Sequence, residues 1–309
     1  MKSRSKIAVV GSGLVGAATA YALAVKGVVS EIILIDANHD KALGEAIDIS
    51  HGLSFIGEMQ VRAGDYSDVA NCDVIIVAAG ANRKPDETRI DLAAKNVSIA
   101  RDVTAQIMKY YNTGVILVVA NPVDIITYTI QKESGLPIGR VFGSGTVLDS
   151  VRFRYILSEK FNVDVRNMHG FIAGEHGDSQ FPVWSMVRLA GMNLESACEE
   201  FGVTVNKEEI EKEVRTAGAQ VIKNKGATYY AIASVLVRIC EAIIKNQRSI
   251  HHTSVLLTGQ YGLDDVSLSV PCVIGSGGVE RIIETEFLPE EIEKLHNSAA
   301  QLKNIINQI

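Results

Sequence analysis

The segment Gly11-Ser12-Gly13-Leu14-Val15-Gly16 constrains this chain more than any other feature. It lies between a short apolar run, Lys6 to Val10, and an Ala-rich stretch, Leu14 to Lys26, that keeps small residues on one face. This order reads as strand, tight turn and helix. A second apolar run, Glu31 to Ile35, ends at Asp36, twenty residues past Gly16, and a helical pattern carrying Leu43, Ala46, Ile47 and Ile49 follows. A βαβ unit with G-x-G-x-x-G in its first turn and a carboxylate after its second strand is the fingerprint of a dinucleotide site. Gly11 permits the turn, Gly13 removes the side chain that would block a pyrophosphate, and Gly16 lets the helix approach the sheet, while the helix N-terminus offers N–H donors. Asp36 is suited to accept hydrogen bonds from the adenosine ribose. Its charge repels a 2′-phosphate, and its neighbours Ala37 and Asn38 supply no cation, so NAD is expected rather than NADP.

Two further apolar runs, Val74 to Ala79 and Val115 to Val119, flank a helical pattern from about Ile90 to Tyr111. Runs apolar throughout imply strands buried on both faces, hence a doubly wound parallel sheet of α/β class with helices on either side. The pattern turns mixed after Gly143-Ser144-Gly145. It predicts a helix near Val147 to Lys160, a strand near Met168 to Ala173 and two amphipathic helices from about Lys207 to Asn246. Strand-like runs follow at Ser254 to Leu257 and Val270 to Ile274, then a terminal helix from Pro289. A Rossmann domain over residues 1–143 and a mixed α+β domain over 144–309 are expected, a division that suits 309 residues.

Composition removes other classes. Thirty basic against thirty-six acidic residues leave a net charge of −6, with no Lys/Arg block to track a phosphate backbone, so nucleic acid is not expected as a partner. The longest apolar stretches, Val74 to Ala81 and Val115 to Ala120, fall far short of the roughly 20 residues that span a bilayer. The basic opening Met1 to Lys6 leads into no signal-type apolar core, and a cytoplasmic protein is expected. Cys72, Cys198, Cys240 and Cys272 form no C-x-x-C pair, so no metal site and no disulfide framework is expected.

In the second half, Gly174-Glu175-His176-Gly177-Asp178 sets an imidazole between glycines just after a predicted strand. Histidine is the usual general acid or base, although a lone one is more often structural. Asp149 and Arg152, three residues apart on a predicted helix, share adjoining parts of one face and by themselves would read as a surface ion pair.

These motifs together resemble the lactate/malate dehydrogenase family over essentially the whole chain. The similarity runs through the glycine fingerprint, Ala79-Gly80-Ala81 and its loop, Asn121-Pro122-Val123-Asp124, Leu148-Asp149 to Arg154, Gly174 to Asp178, and Lys225-Gly226-Ala227-Thr228. The resemblance implies an NAD-dependent L-2-hydroxy-acid dehydrogenase with His176 as proton donor and acceptor and Asp149 on its other ring nitrogen. It further implies Arg152 as carboxylate clamp, Arg89 as the residue that polarises the carbonyl, Asn121 near the reacting oxygen and cofactor, and Thr228 in the pocket wall. A guanidinium holds two carboxylate oxygens at once, as the clamp requires. A non-catalytic NAD sensor would have no reason to keep His176, Asp149, Arg152 and Arg89 together. A related NAD-dependent glycosidase would need a Cys/His metal set that these cysteines do not supply.

Arg83 occupies a position that is typically Gln in lactate dehydrogenases and Arg in malate dehydrogenases. Facing the C3 substituent of the keto acid, a buried guanidinium is paired by a second carboxylate and left unpaired by a methyl group. This favours oxaloacetate and L-malate. Against it stand Asp86 and Glu87, either able to neutralise Arg83, and the lactate-type Thr228, so pyruvate and L-lactate are the alternative. Arg154 and His169 match basic positions that bind fructose 1,6-bisphosphate between subunits in allosteric bacterial members of the family, which implies a homo-oligomer, a tetramer, with an anion site.

Overall fold

Aliphatic and β-branched runs make the centre of the molecule. The computed structural model describes residues 5–82 and 87–309. The first half runs β1 (Lys6–Val10), α1 (Leu14–Lys26), β2 (Glu31–Ile35), α2 (His39–Ile56), β3 (Gln60–Ala63), β4 (Val74–Val77), α3 (Arg89–Met108), β5 (Val115–Val118), α4 (Val123–Ser134) and β6 (Val141–Gly143). Every residue of β4 and β5 is buried, as strands covered on both faces must be. The six strands pair in parallel in the order β3-β2-β1-β4-β5-β6. The order reverses between β1 and β4, and a crevice at the carboxyl ends of strands at such a switch point is where open α/β sheets take ligands.

The second half runs α5 (Val147–Phe161), β7 (Met168–His169), β8 (Ile172–Ala173), β9 (Phe181–Pro182), β10 (Arg188–Leu189), α6 (Leu194–Phe201), α7 (Lys207–Lys225), α8 (Tyr230–Ile244), β11 (Ser249–Thr258), β12 (Asp264–Gly275), β13 (Gly278–Ile282) and α9 (Pro289–Ile306). The stretch expected as one strand from Met168 to Ala173 is two. Met168–His169 pairs with Arg188–Leu189, and Ile172–Ala173 pairs with Phe181–Pro182, both antiparallel. The strands expected near Ser254 and Val270 are longer than their apolar runs and form one long antiparallel pair. Ser254 of β11 faces Gly143 of β6, so the antiparallel strands β11, β12 and β13 extend the parallel sheet to nine strands across the expected boundary at Gly143. The second half has its own core around Phe153, Leu157, Met168 and Ile172. Among the described residues no helix is long and apolar enough to cross a membrane. The four cysteines are free thiols, three buried and Cys198 half-buried.

Candidate active site

The loop after β1 meets the loop after β4 at the switch point. Gly11 has a φ of +103°, and a Cβ there would lie 2.5 Å from the Ala79 backbone nitrogen, so only glycine fits. A Cβ on Gly16 would come within 1.9 Å of the Gly11 carbonyl oxygen, whereas one on Gly13 would meet nothing within 4 Å. Gly13 therefore opens space directly above the start of α1, whose N-terminus has no side-chain cap. Uncapped N–H groups beside open space form an anion cradle. The Asp36 carboxylate accepts the Ser12 N–H at 2.6 Å and the Asn38 N–H at 2.9 Å, which ties the end of β2 to the glycine loop and leaves lone pairs for a ribose. These residues fit a bound NAD.

A cavity of about 310 Å³ is lined by Asn121, Asp149, Arg152, His176, Asp178, Arg215 and Thr228, with Val15 from the start of α1 in its wall. Its size suits a small ligand. A larger groove of about 580 Å³ between α1 and α8 is lined mainly by apolar side chains such as Tyr21, Val25 and Tyr230, and gathers no acid–base pair of this kind.

Asp149, in the first turn of α5, is 2 % exposed. Its Oδ2 lies 2.6 Å from His176 Nδ1, and its Oδ1 accepts a hydrogen bond from Arg152 at 3.1 Å. Burial works to raise the Asp149 carboxyl, yet the charge and hydrogen bond of His176, with Arg152 behind them, hold it below the ordinary range. Burial likewise works to lower the imidazole, and the charge and hydrogen bond of Asp149 outweigh it, so that His176 is raised to about 9. A ring protonated at neutral pH, with Nδ1–H held by a carboxylate and Nε2 left over, has the chemistry to donate a proton into the cavity.

The loop carrying His176 is fixed from three sides. Gly174 exchanges backbone hydrogen bonds of 3.1 and 3.0 Å with Ser269 of β12. The Glu175 N–H donates to Ser298 Oγ of α9 at 2.8 Å, and the His176 N–H to Asp124 Oδ2 of α4 at 2.7 Å. Buried Asn96 of α3 joins the loop at Ala81 to the loop at Asn121, which lines the cavity. Its Oδ1 accepts the Ala81 N–H at 2.7 Å, and its Nδ2 donates to the Ala81 carbonyl at 3.1 Å and the Asn121 carbonyl at 2.7 Å.

The structure thus brings His176, Asp149, Arg152, Asn121 and Thr228 to one cavity. Arg89, expected on a loop, is the first residue of α3, where Thr88 and Asp91 form a capping box. It does not line the cavity; its guanidinium pairs with Asp178, and both side chains are largely exposed. Arg83 and Asp86 lie outside the described residues. Arg154 donates to the Gly170 carbonyl at 3.2 Å, next in sequence to His169, which is exposed on β7. Neither touches the cavity. Sequence reasoning missed Asn96, Asp178 and Arg215 as site residues, and it read Asp124 only as part of a motif. Among the described residues no His, Cys, Asp and Glu group is arranged to hold a metal ion.

Comparison with known proteins gives the family. Residues 5–143 match the family described as lactate/malate dehydrogenase, NAD binding domain, and residues 146–309 match its alpha/beta C-terminal domain. The chain is 49 % identical over 308 residues to the L-lactate dehydrogenase of Thermoanaerobacterium saccharolyticum, covering 99 % of each. It is 47 % identical to L-lactate dehydrogenase 1 of Clostridium acetobutylicum over the full length of both. Among solved structures, an L-lactate dehydrogenase from Clostridium thermocellum aligns with a TM-score of 0.89 at 53 % identity over 99 % of both chains. The minor L-lactate dehydrogenase of Enterococcus mundtii aligns with a TM-score of 0.94 at 37 % identity, covering 99 % of this chain and 98 % of that one. From the dinucleotide cradle at one end of the crevice to the buried acid–base pair at the other, this chain belongs to the lactate/malate dehydrogenase family of NAD-dependent oxidoreductases acting on CH–OH groups.

Proposed function

We propose that the protein interconverts pyruvate and L-lactate. The observation that carries this reading is the Asp149 carboxylate shared between His176 and Arg152 inside a cavity next to the NAD cradle. Bound NADH supplies the hydride. His176, protonated at neutral pH, gives a proton from Nε2 to the carbonyl oxygen as it gains negative charge, and takes it back in the reverse direction. Asp149 fixes the ring and stabilises its charged form. The Arg152 guanidinium, one N–H occupied by Asp149, grips the substrate carboxylate with its free edge. Arg89, paired with Asp178 outside the cavity, has to swing in to polarise the carbonyl, and Asn121 and Thr228 complete the walls.

The choice of pyruvate reverses the lean that Arg83 alone suggests. Relatives identical at nearly half of all positions over the whole chain are named L-lactate dehydrogenases, and Thr228 lines the cavity. Asp86 and Glu87 carry charge able to neutralise Arg83 within its own loop. Oxaloacetate is the second reading, favoured by Arg83. Comparing kcat/KM for pyruvate and oxaloacetate in the wild type and in Arg83→Gln tests the choice. The proposal expects pyruvate to lead in both; a wild type that prefers oxaloacetate, and loses that preference in Arg83→Gln, restores the malate reading.

An anion site for fructose 1,6-bisphosphate at Arg154 and His169, in a tetramer, is part of the same proposal. It is supported by the half-buried Arg154 guanidinium, which has no carboxylate partner among the described residues, beside the His169–Gly170 backbone. Titrating the sugar bisphosphate should lower the KM for pyruvate, and light scattering should give four subunits. A cytoplasmic setting accords with the free thiols.

A further inference from the structure

Asp124 lies in the first turn of α4 and is 2 % exposed. Its Oδ2 accepts the backbone N–H of His176 at 2.7 Å, and its Oδ1 has no hydrogen-bond partner among the described residues. The Thr127 hydroxyl is also buried without a partner, Ser254 adjoins the carboxyl, and both side chains abut Gly143, where a Cβ would lie 2.4 Å from Thr127 Oγ1 and 3.2 Å from Ser254 Cβ. No Lys or Arg pairs with Asp124 among the described residues. Burial pushes its carboxyl up to about 7, with Ser254, the His176 amide and the His176 charge drawing it back.

A buried carboxylate without a basic partner is costly, and a neutral acceptor would satisfy one backbone N–H equally well. What a neutral acceptor cannot supply is charge beside the imidazole. Asp124 acts on the His176 ring in the same sense as Asp149, favouring the imidazolium.

Resting on the reading of His176 as proton donor, we propose that Asp124 is a positioning residue for it. The carboxylate pins the His176 backbone, and so the height of the ring in the cavity, and adds a second negative charge to that of Asp149. The groups facing His176 are Asp149 and Arg152 from α5, Asp124 from α4 and Arg215 from α7. Glu175 and Asp178 come from its own loop, the latter paired with Arg89 of α3. Of the charges acting on the ring, Asp149 and Asp124 strengthen its hold on the proton and Arg152 weakens it. As Asp124 ionises near pH 7, the imidazolium therefore becomes harder to deprotonate.

Asp124→Asn keeps an acceptor for the His176 N–H and removes the charge. The alkaline limb of the kcat/KM profile for pyruvate reduction should move down by about half to one pH unit. Near pH 6.5, kcat should stay within about threefold of wild type, since the wild-type carboxyl is then largely neutral. The melting temperature at pH 8 should equal or exceed that of wild type, because a carboxyl raised in the folded state loses stability as pH rises through its folded value. Asp124→Ala removes the acceptor as well and should lower kcat about 10- to 100-fold, the range set by leaving a buried N–H unpaired, with NADH affinity unchanged. An Asp124→Asn profile superimposable on wild type overturns the proposal, as does an Asp124→Ala enzyme with wild-type kcat. Should Asp124→Ala not fold, the Asn profile decides alone. His176→Asn separates the two readings. Pyruvate reduction that survives in it removes the acid–base role of His176, whereas an inactive His176→Asn beside an unmoved Asp124→Asn profile removes only the role of Asp124.

Discussion

His176 Nδ1 and Asp149 Oδ2 stand 2.6 Å apart although 27 residues separate them in sequence, and the second Asp149 oxygen holds Arg152 at 3.1 Å. One buried carboxylate thus orients both a proton donor and a carboxylate clamp. Removing its charge in Asp149→Asn leaves two cationic groups facing a neutral amide. We expect kcat for pyruvate reduction to fall by up to about 10⁴-fold, the loss that follows when the acid orienting an active-site histidine is neutralised. Thermal unfolding should show a stability loss of about 3–5 kcal/mol from breaking the buried pair. Wild-type turnover in this variant would remove Asp149 from the mechanism.

Arg152 separates charge from geometry. Arg152→Lys keeps the charge and loses the planar fork, so one substrate contact has to be given up while Asp149 still holds the ammonium. KM for pyruvate should rise about 100-fold, equivalent to about 3 kcal/mol for a charge-assisted bidentate contact. NADH affinity, read by fluorescence titration, should be unchanged; a loss of NADH binding equal to the loss of pyruvate binding contradicts the assignment.

The glycine loop gives a paired prediction. Gly16→Ala drives a Cβ to 1.9 Å from a backbone carbonyl and should lower the melting temperature sharply or prevent folding. Gly13→Val grows into open space above the start of α1, so folding should be spared while NADH affinity falls at least tenfold. Equal melting temperatures for the two variants would show that the loop relaxes around either side chain.

Two histidines next to the expected anion site set the acid limit. Burial, with Arg238 and Arg154 adding, pushes His251 down to about 4; burial, with Arg154 and His251 adding, pushes His252 down to about 3. Both are neutral when folded and charge near pH 6.5 when unfolded. Their contribution to stability is therefore complete above about 6.5 and is lost as pH falls toward 4 and then 3. His252 stacks on Phe171 at 3.9 Å, so His252→Phe preserves the packing. The fall in unfolding free energy between pH 6 and 4 should be shallower in this variant by about 1.4 kcal/mol per pH unit, one proton's worth. An unchanged slope would mean that His252 is accessible to protons in the native state.

Local patterns carried the parallel half of the fold. Strands β4 and β5 are apolar throughout, and β1 and β2 are so after their first residues, because helices cover both faces, and the turn announces itself by Gly11 and Gly16, where no other side chain fits. The break between Met168–His169 and Ile172–Ala173 was not legible, because the two halves pair with different partners and nothing local states which. Extension of the sheet through Ser254 and Gly143 is a contact across 111 residues and leaves no periodic trace. Asp149 and Arg152 could be paired from helical spacing, but their meeting with His176 came only from the family resemblance. Asn96 and Asp124 act through backbone groups far along the chain, so neither has a spacing signal. The helical start at Arg89 did have one, the Thr88-x-x-Asp91 capping pattern.

The most direct test of His176 as the proton donor is the pH dependence of kcat/KM for pyruvate reduction and L-lactate oxidation, measured on the same enzyme from pH 6 to 10.5. With the imidazolium raised to about 9, reduction should be level up to about that pH and fall about tenfold per unit beyond it, while oxidation rises toward a plateau over the same range. Reduction that continues undiminished beyond pH 10, or an oxidation profile that does not mirror it, would contradict the account.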